Sequence, residues 1–174
     1  MKLRRAQSQE AILAASTAIT EKLWALPAYK SAKNIYAYMD FSGEVKTQMI
    51  IEDALKTGKN VWLPRVHGDT MDFFLAEQEE DLQTGAFGIL EPQGATMAGV
   101  EEMKDGFMVM PGVAFDADRN RAGFGGGYYD KYLEAYPELY TAAVAFEFQI
   151  VESVPSEETD IRPNVVITEE RIYE

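Results

Sequence analysis

Strand-like and helix-like runs alternate along this chain with short joins, and no other feature constrains its fold as tightly. Ser8 can cap a helix running to about Leu26, where Pro27 ends it. Ile12, Ala15, Ile19, Leu23 and Leu26 give that helix one apolar face. Asn34-Ile-Tyr-Ala-Tyr-Met39 alternates and is rich in aromatics, which reads as a strand. Thr47 can cap a second helix through Ile50, Ile51, Ala54 and Leu55, closed by Gly58. Asn60-Val-Trp-Leu-Pro64 reads as a short strand stopped by proline, and Met71-Asp-Phe-Phe-Leu-Ala76 as another. A strand, a helix and a strand joined so closely imply a right-handed crossover and parallel pairing. From Glu77 to Asp105 the chain is acidic and aperiodic, so loops and one short helix are expected. Phe107-Met-Val-Met110 has the continuous apolarity of a buried central strand. Val113 to Asp116, Tyr140 to Phe146 and Asn164 to Thr168 are further strand-like runs. With no repeat and no linker, residues 1–174 should form a single α/β domain.

Within this alternation one stretch is built for a ligand. Arg121-Ala-Gly-Phe-Gly-Gly-Gly-Tyr-Tyr-Asp130 places four glycines before a helical run in which Tyr129, Tyr132, Leu133 and Tyr136 share a face. A glycine loop feeding a helix start aims unpaired N–H groups at one point, which the helix dipole makes favourable for an anion. Arg121 adds a planar donor fork suited to phosphate. The loop lacks the Gly-Lys-Ser/Thr ending of a P-loop, and Tyr128 stands where the dinucleotide fingerprint needs its third glycine. A ligand-free glycine turn is the competing reading.

Ligands of such sheets collect beyond the C-terminal strand ends. Met39-Asp-Phe-Ser-Gly-Glu44, Pro64-Arg65 and Pro111-Gly112 each follow a strand-like run and should converge on the glycine loop. Glu44 reads either as a fixed acceptor for a polar ligand or as a first-turn acid of the next helix. Arg65 reads as an anion clamp or as a solvated charge. His67, the only histidine, reads as a surface residue rather than a base. Asp130 could hold Mg²⁺ beside a bound phosphate or be a plain helix-start acid. Asp160 lies in an acidic loop, and Phe124 and Tyr128 could flank a flat ring or pack in the core.

A formal net charge of −13 argues against a nucleic-acid or anionic-membrane surface. No cysteine is present, so thiolate chemistry and Cys-ligated metals are excluded. No run approaches a membrane span and no leader is evident, so the expectation is a cytoplasmic monomer acting on a small molecule. No Ser/His/Asp arrangement or His cluster stands out. Positioning, charge neutralisation and a metal would suffice for phosphoryl transfer.

Met110-Pro-Gly-Val-Ala-Phe-Asp116 followed by Arg121-Ala-Gly-Phe-Gly-Gly-Gly-Tyr-Tyr-Asp-Lys-Tyr-Leu133 resembles the signature of the 5-formyltetrahydrofolate cyclo-ligases, also called methenyltetrahydrofolate synthetases. Ser16 to Pro27, Glu44-Val-Lys-Thr47, Gly58-Lys-Asn-Val-Trp-Leu-Pro-Arg65, Phe87-Gly-Ile-Leu-Glu-Pro92, Val154-Pro155, Asp160 and Val166-Ile-Thr168 agree in order and spacing. The resemblance implies one Rossmann-like domain with a mostly parallel sheet flanked by helices, as in sugar-phosphate isomerases and CoA transferases. It implies use of ATP and Mg²⁺ to turn 5-formyltetrahydrofolate into 5,10-methenyltetrahydrofolate. By resemblance, Arg121, Gly123, Phe124, Gly125, Gly126, Gly127, Tyr128 and Tyr129 would hold the ATP phosphates, with Arg65 in support. Met39, Glu44 and the stretch from Phe124 to Tyr128 would meet the folate, and Asp130 and Asp160 would hold Mg²⁺. Glu44 and Arg121 would carry the catalytic roles. Two departures accompany the match. Aligned through Ser8 and Ser16, the sequence starts after the basic element with which many members open; either Lys2, Arg4 or Arg5 substitutes, or the start is misassigned. Gly126 stands where some relatives place a lysine, an exchange common in the family, and Ala122 where a larger apolar residue is usual. Folate binding without turnover, and a phosphosugar or acyl-CoA enzyme of similar fold, are the rival readings.

Overall fold

A computed structural model describes residues 6–76, 82–84, 90–157 and 160–174. Helix α1 (Gln9–Ala25) starts at Ser8, whose hydroxyl accepts the Ala11 N–H at 3.1 Å. Pro27 does end α1, but it also opens a short second helix, α2 (Pro27–Ser31). Proline suits that first helical position because its missing N–H would have had no intrahelical partner. Then follow β1 (Asn34–Tyr36), α3 (Gln48–Lys56), β2 (Asn60–His67), β3 (Thr70–Ala76), β4 (Leu82–Thr84) and β5 (Leu90–Pro92). The remainder is α4 (Val100–Lys104), β6 (Gly106–Met110), β7 (Ala114–Phe115), β8 (Arg121–Ala122), α5 (Tyr128–Ala135), β9 (Tyr140–Val144), β10 (Val165–Ile167) and β11 (Ile172–Tyr173).

Seven strands form the main sheet in the order β11-β10-β9-β6-β1-β2-β3. From β10 to β2 every pairing is parallel, while β3 and β11 close the two edges antiparallel. This is the expected α/β architecture. One apolar layer, with Ile12, Ile19, Leu23, Ile50 and Ala54, joins α1 and α3 to one sheet face. On the other face Tyr132 and Leu133 of α5 pack with Tyr36, Phe73, Met108 and Val166.

Several boundaries differ from expectation for local reasons. Pro64 does not stop β2. It pairs with Phe73 of β3, in a stretch of β2 that no longer pairs with β1 beyond Trp62, so no ladder donor is missed there. Thr47 precedes α3 but does not cap it with its side chain. Its hydroxyl donates instead to the Tyr38 carbonyl at 2.6 Å, stitching the loop back to the end of β1. The expected short helix between 77 and 105 is α4, accompanied by the β4–β5 hairpin. Residues 77–81 and 85–89, including much of the Phe87 to Pro92 block, lie outside the described residues. So do Lys2, Arg4 and Arg5.

Candidate active site

Two neighbouring parallel strands diverge in their onward connections: β1 leads through α3 to β2 on one side, while β6 lies on the other and leads towards β9. Such a switch point opens a crevice beyond the C-terminal strand ends. The loop after β1 (37–47) and the loop after β6 (111–127) form its two walls, and every residue argued below comes from these loops or from a segment docked on them.

The first wall is a rigid turn. Ser42 and Gly43 have φ of 51° and 78°. Phe41 donates its N–H to Glu44 Oε2 at 3.0 Å, and the Glu44 N–H returns to the Phe41 carbonyl at 3.2 Å. Glu44 is therefore no first-turn acid: α3 begins four residues later, and Glu44 is 7% exposed. Asp40 secures the same turn by accepting from Lys46 Nζ at 2.6 Å and from the Thr47 N–H at 3.2 Å. Beside it, between α1 and α3, a cleft of about 510 Å³ is lined by Asp40, Lys46, Leu13 and Met49 among others. Met39 is half-buried against the core layer beneath α1 and α3.

The second wall carries the glycines. Gly125 and Gly127 have φ of 90° and 62°, so both need the left-handed backbone that glycine adopts without strain. Gly127 caps α5 with no side-chain bond, which leaves the first-turn N–H groups available at the crevice. A Cβ on Gly123 would come within 3.0 Å of Arg121 Nη1, and one on Gly126 within 2.5 Å of the Tyr128 ring. Both side chains thus fold back over backbone that only glycine leaves open. The Tyr128 hydroxyl donates to the Gly68 carbonyl at 3.1 Å, tying the loop to the β2–β3 turn. Phe124, at the apex, is 60% exposed.

Arg121 and Asp130 form a largely buried ion pair at 2.7 Å, their side chains 6% and 22% exposed. Arg121 Nε has no hydrogen-bond partner among the described residues. The guanidinium carbon lies 5.7 Å from the centre of the Tyr129 ring. Burial raises the Tyr129 pKa well above the ordinary tyrosine value; the nearby Glu44 carboxylate adds to the shift and Arg121 opposes it. The phenol therefore keeps its proton and is a hydrogen-bond donor at neutral pH. Tyr129 thus lies in the field of both walls, the Glu44 carboxylate on one and Arg121 on the other.

A third segment closes the group. The Ile161 N–H donates to Asp130 Oδ1 at 3.1 Å, so the backbone just after Asp160 is docked on Asp130, while the Asp160 side chain is exposed. Asp160 Oδ2 accepts the Glu157 N–H at 2.8 Å, and its other oxygen has no hydrogen bond among the described residues. No group of three acidic, histidine or cysteine side chains suited to a metal occurs among the described residues. A pair of carboxylates matches Mg²⁺, which takes one or two from a protein and completes its shell with phosphate oxygens and water. Asp130 can share, since each carboxylate oxygen keeps a second lone pair.

Arg65 is not paired with the glycine loop. Its guanidinium donates to the Pro92 carbonyl and, at 2.9 Å, to that of Gly94, and lies 3.9 Å over the Phe74 ring. His67 is exposed at the β2–β3 turn, in line with its reading as a surface residue. Sequence reasoning missed Asp116 and Asn120. The Asp116 carboxylate, 2% exposed, accepts from the N–H groups of Asp118, Asn120 and Val154 and from the Asn120 amide. Burial alone would raise its pKa; those four donors outweigh it and hold the carboxyl below its usual 3.8. The Asp-x-x-x-Asn spacing before Arg121 was the available signal, one shared by many ordinary turns.

Comparison with known proteins places this geometry. Residues 1–169 match the model of the 5-formyltetrahydrofolate cyclo-ligase family. A 5-formyltetrahydrofolate cyclo-ligase of Mus musculus is 34% identical over 179 residues, covering 95% of this chain and 88% of the mouse protein. A probable 5-formyltetrahydrofolate cyclo-ligase of Schizosaccharomyces pombe is 30% identical over 173 residues, covering 90% and 85%. The structure of Aquifex aeolicus 5,10-methenyltetrahydrofolate synthetase superposes with a TM-score of 0.86 at 33% identity, over 98% of this chain and 86% of that one.

Proposed function

This chain belongs to the 5-formyltetrahydrofolate cyclo-ligase family, and from that premise we propose that it is an ATP-dependent ligase closing 5-formyltetrahydrofolate to 5,10-methenyltetrahydrofolate, with release of ADP and phosphate. The observation that carries the reading is the largely buried Arg121–Asp130 pair beside the glycine loop at the β1/β6 switch point, with the buried Glu44 in the turn of the facing wall. An acceptor for a polar heterocycle there adjoins a cation and a glycine loop for a phosphate chain.

The chemistry needs an activated formyl oxygen, because that oxygen is a poor leaving group. In the proposed sequence the N5-formyl oxygen attacks the γ-phosphorus of ATP and ADP leaves, giving an iminium phosphate. N10 adds to the iminium carbon and loses its proton, and inorganic phosphate departs to give the methenyl bridge. Glu44, fixed by the Phe41 N–H, accepts from the pterin edge, and Met39 forms the apolar floor beside it. Holding the pterin this way brings oxygen and phosphorus together, a proximity effect. Arg121 and the loop N–H groups from Gly123 to Tyr129 neutralise charge on the transferring phosphoryl group. Phe124 and Tyr128 border the folate. Asp130 and Asp160 are the residues that would hold Mg²⁺, which supplies charge neutralisation on the phosphates. Arg65 in this reading orders the 92–94 segment rather than a phosphate.

The protein works in this reading as a cytoplasmic monomer on small molecules, without nucleic acid or membrane; no described helix is long and apolar enough to cross a membrane. Titration calorimetry with 5-formyltetrahydrofolate and with ATP tests it against folate binding without turnover. Binding of both ligands is expected; binding of folate with no heat from ATP would overturn the ligase reading.

A further inference from the structure

Arg162 has no part in the roles assigned so far. It follows Ile161, whose N–H is held by Asp130, and its own Nε donates to Asn120 Oδ1 at 2.7 Å. Asn120 is itself fixed, its N–H and its side-chain amide each donating at 2.9 Å to the two oxygens of buried Asp116. Asn120 immediately precedes Arg121. The Arg162 side chain is thus anchored next to the Arg121–Asp130 pair from both ends. It is exposed, and its two Nη atoms have no hydrogen bond or ion pair among the described residues.

An arginine held only through Nε presents the planar Nη edge as a preorganised fork, the form that suits phosphate oxygens. With 29 acidic against 16 basic residues in the chain, a cation whose fork stays unpaired among the described side chains needs a reason. Its position supplies one: Asp130 accepts from both Arg121 and the N–H of Ile161, the residue before Arg162, which brings the Arg162 backbone beside the pair where a phosphate chain and its counter-cation would lie. We propose that Arg162 is a second phosphate-binding arginine, gripping the triphosphate of the nucleotide together with Arg121 and oriented by the Asp116–Asn120 relay. The proposal rests on the ATP-dependent reading given above. Its role is in binding, so substrate affinity rather than the chemical step should report it.

The test is calorimetry of ATP with Mg²⁺ on the full chain, alongside methenyl formation, for Arg162→Gln, Arg162→Lys and Arg171→Gln. Arg171 carries the same charge but is paired with Glu147 and Glu170 near the C-terminus. Arg162→Gln should weaken ATP binding by about tenfold and raise the KM for ATP to match, with kcat and the KM for folate unchanged. Arg162→Lys should recover part of the loss, since it restores charge without the fork. Arg171→Gln should bind ATP as the wild type does. Unchanged ATP affinity in Arg162→Gln, or equal losses in Arg162→Gln and Arg171→Gln, would overturn the proposal. So would a loss that tracks a fall in melting temperature, which would make Arg162 a tether. If the wild type binds ATP but forms no methenyl product, the ligase reading falls while the calorimetric comparison still decides this one.

Discussion

Arg121 reaches Asp130 because residue 123 has no side chain: a Cβ there would lie 3.0 Å from Arg121 Nη1. Gly123→Ala should therefore displace the guanidinium without opening the core. The expected result is a loss on the order of tenfold to a hundredfold in kcat/KM for ATP, with little change in melting temperature. Equal kinetics for the variant would show that the guanidinium does not depend on this close approach. Asp116 has a different kind of role, holding four donors in a buried position. Asp116→Asn should cost about 2–4 kcal/mol at neutral pH, because it loses charge-assisted bonds and sets an amide against donors. The sign of its pH dependence follows from a folded pKa held below the unfolded value of 3.8. The stabilisation is complete above that value and is lost as pH falls through the lower, folded one. Denaturant midpoints of wild type and Asp116→Asn should keep a constant gap at pH 5 and above, narrowing below about 4. A gap unchanged down to pH 3 would contradict the assignment. Arg121 and Glu44 stood out as candidates because their motifs are local. Asp116, Asn120 and Arg162 did not, since their partners lie across a loop or some forty residues away, and spacing alone does not show such contacts.

At the scale of elements, periodicity located the helices and strands but not what happens at their ends. Pro27 and Pro64 both looked like stops. One became the first residue of a helix and the other sits inside a strand, because in each case the missing N–H had no partner to lose. The C-terminus of α2 is another end that only the structure explains. Lys59 Nζ donates to the carbonyls of Tyr29 and Lys30, each at 3.1 Å, and to that of Ala32. A cation is favoured there by the helix dipole as well as by the open carbonyls. Lys59→Met should lower stability by about 1–2 kcal/mol, measured by urea unfolding; no change would show that water serves those carbonyls as well. In β1 the opposite holds. The Tyr36 hydroxyl is fully buried and has no hydrogen-bond partner among the described residues. Tyr36→Phe should then be neutral or stabilising in the same assay, and a loss above about 1 kcal/mol would reveal a hidden partner.

Over the whole molecule, the alternation of strand and helix specified a parallel α/β sheet, and the sheet has that form between β10 and β2. Alternation does not give strand order, which depends on which edge each crossover reaches. That order, with β6 beside β1 on the side away from β2, is what brings the Glu44 turn and the glycine loop to the same end of neighbouring strands. The sequence showed two separate motifs but not that both would act on Tyr129. The short edge strand β11 also went unread, two residues being too few for a period. A net charge of −13 leaves the bulk field hostile to a nucleotide, so the proposed ligase reading requires local cations, with Arg121 its candidate. The most direct test of that central claim is the time course of methenyl absorbance with ATP, Mg²⁺ and 5-formyltetrahydrofolate, for the wild type beside Arg121→Gln. ATP-dependent product from the wild type is expected, with a loss on the order of a hundredfold to a thousandfold in the variant. No ATP-dependent product from the wild type at high enzyme concentration, or equal rates for the two proteins, would contradict the account.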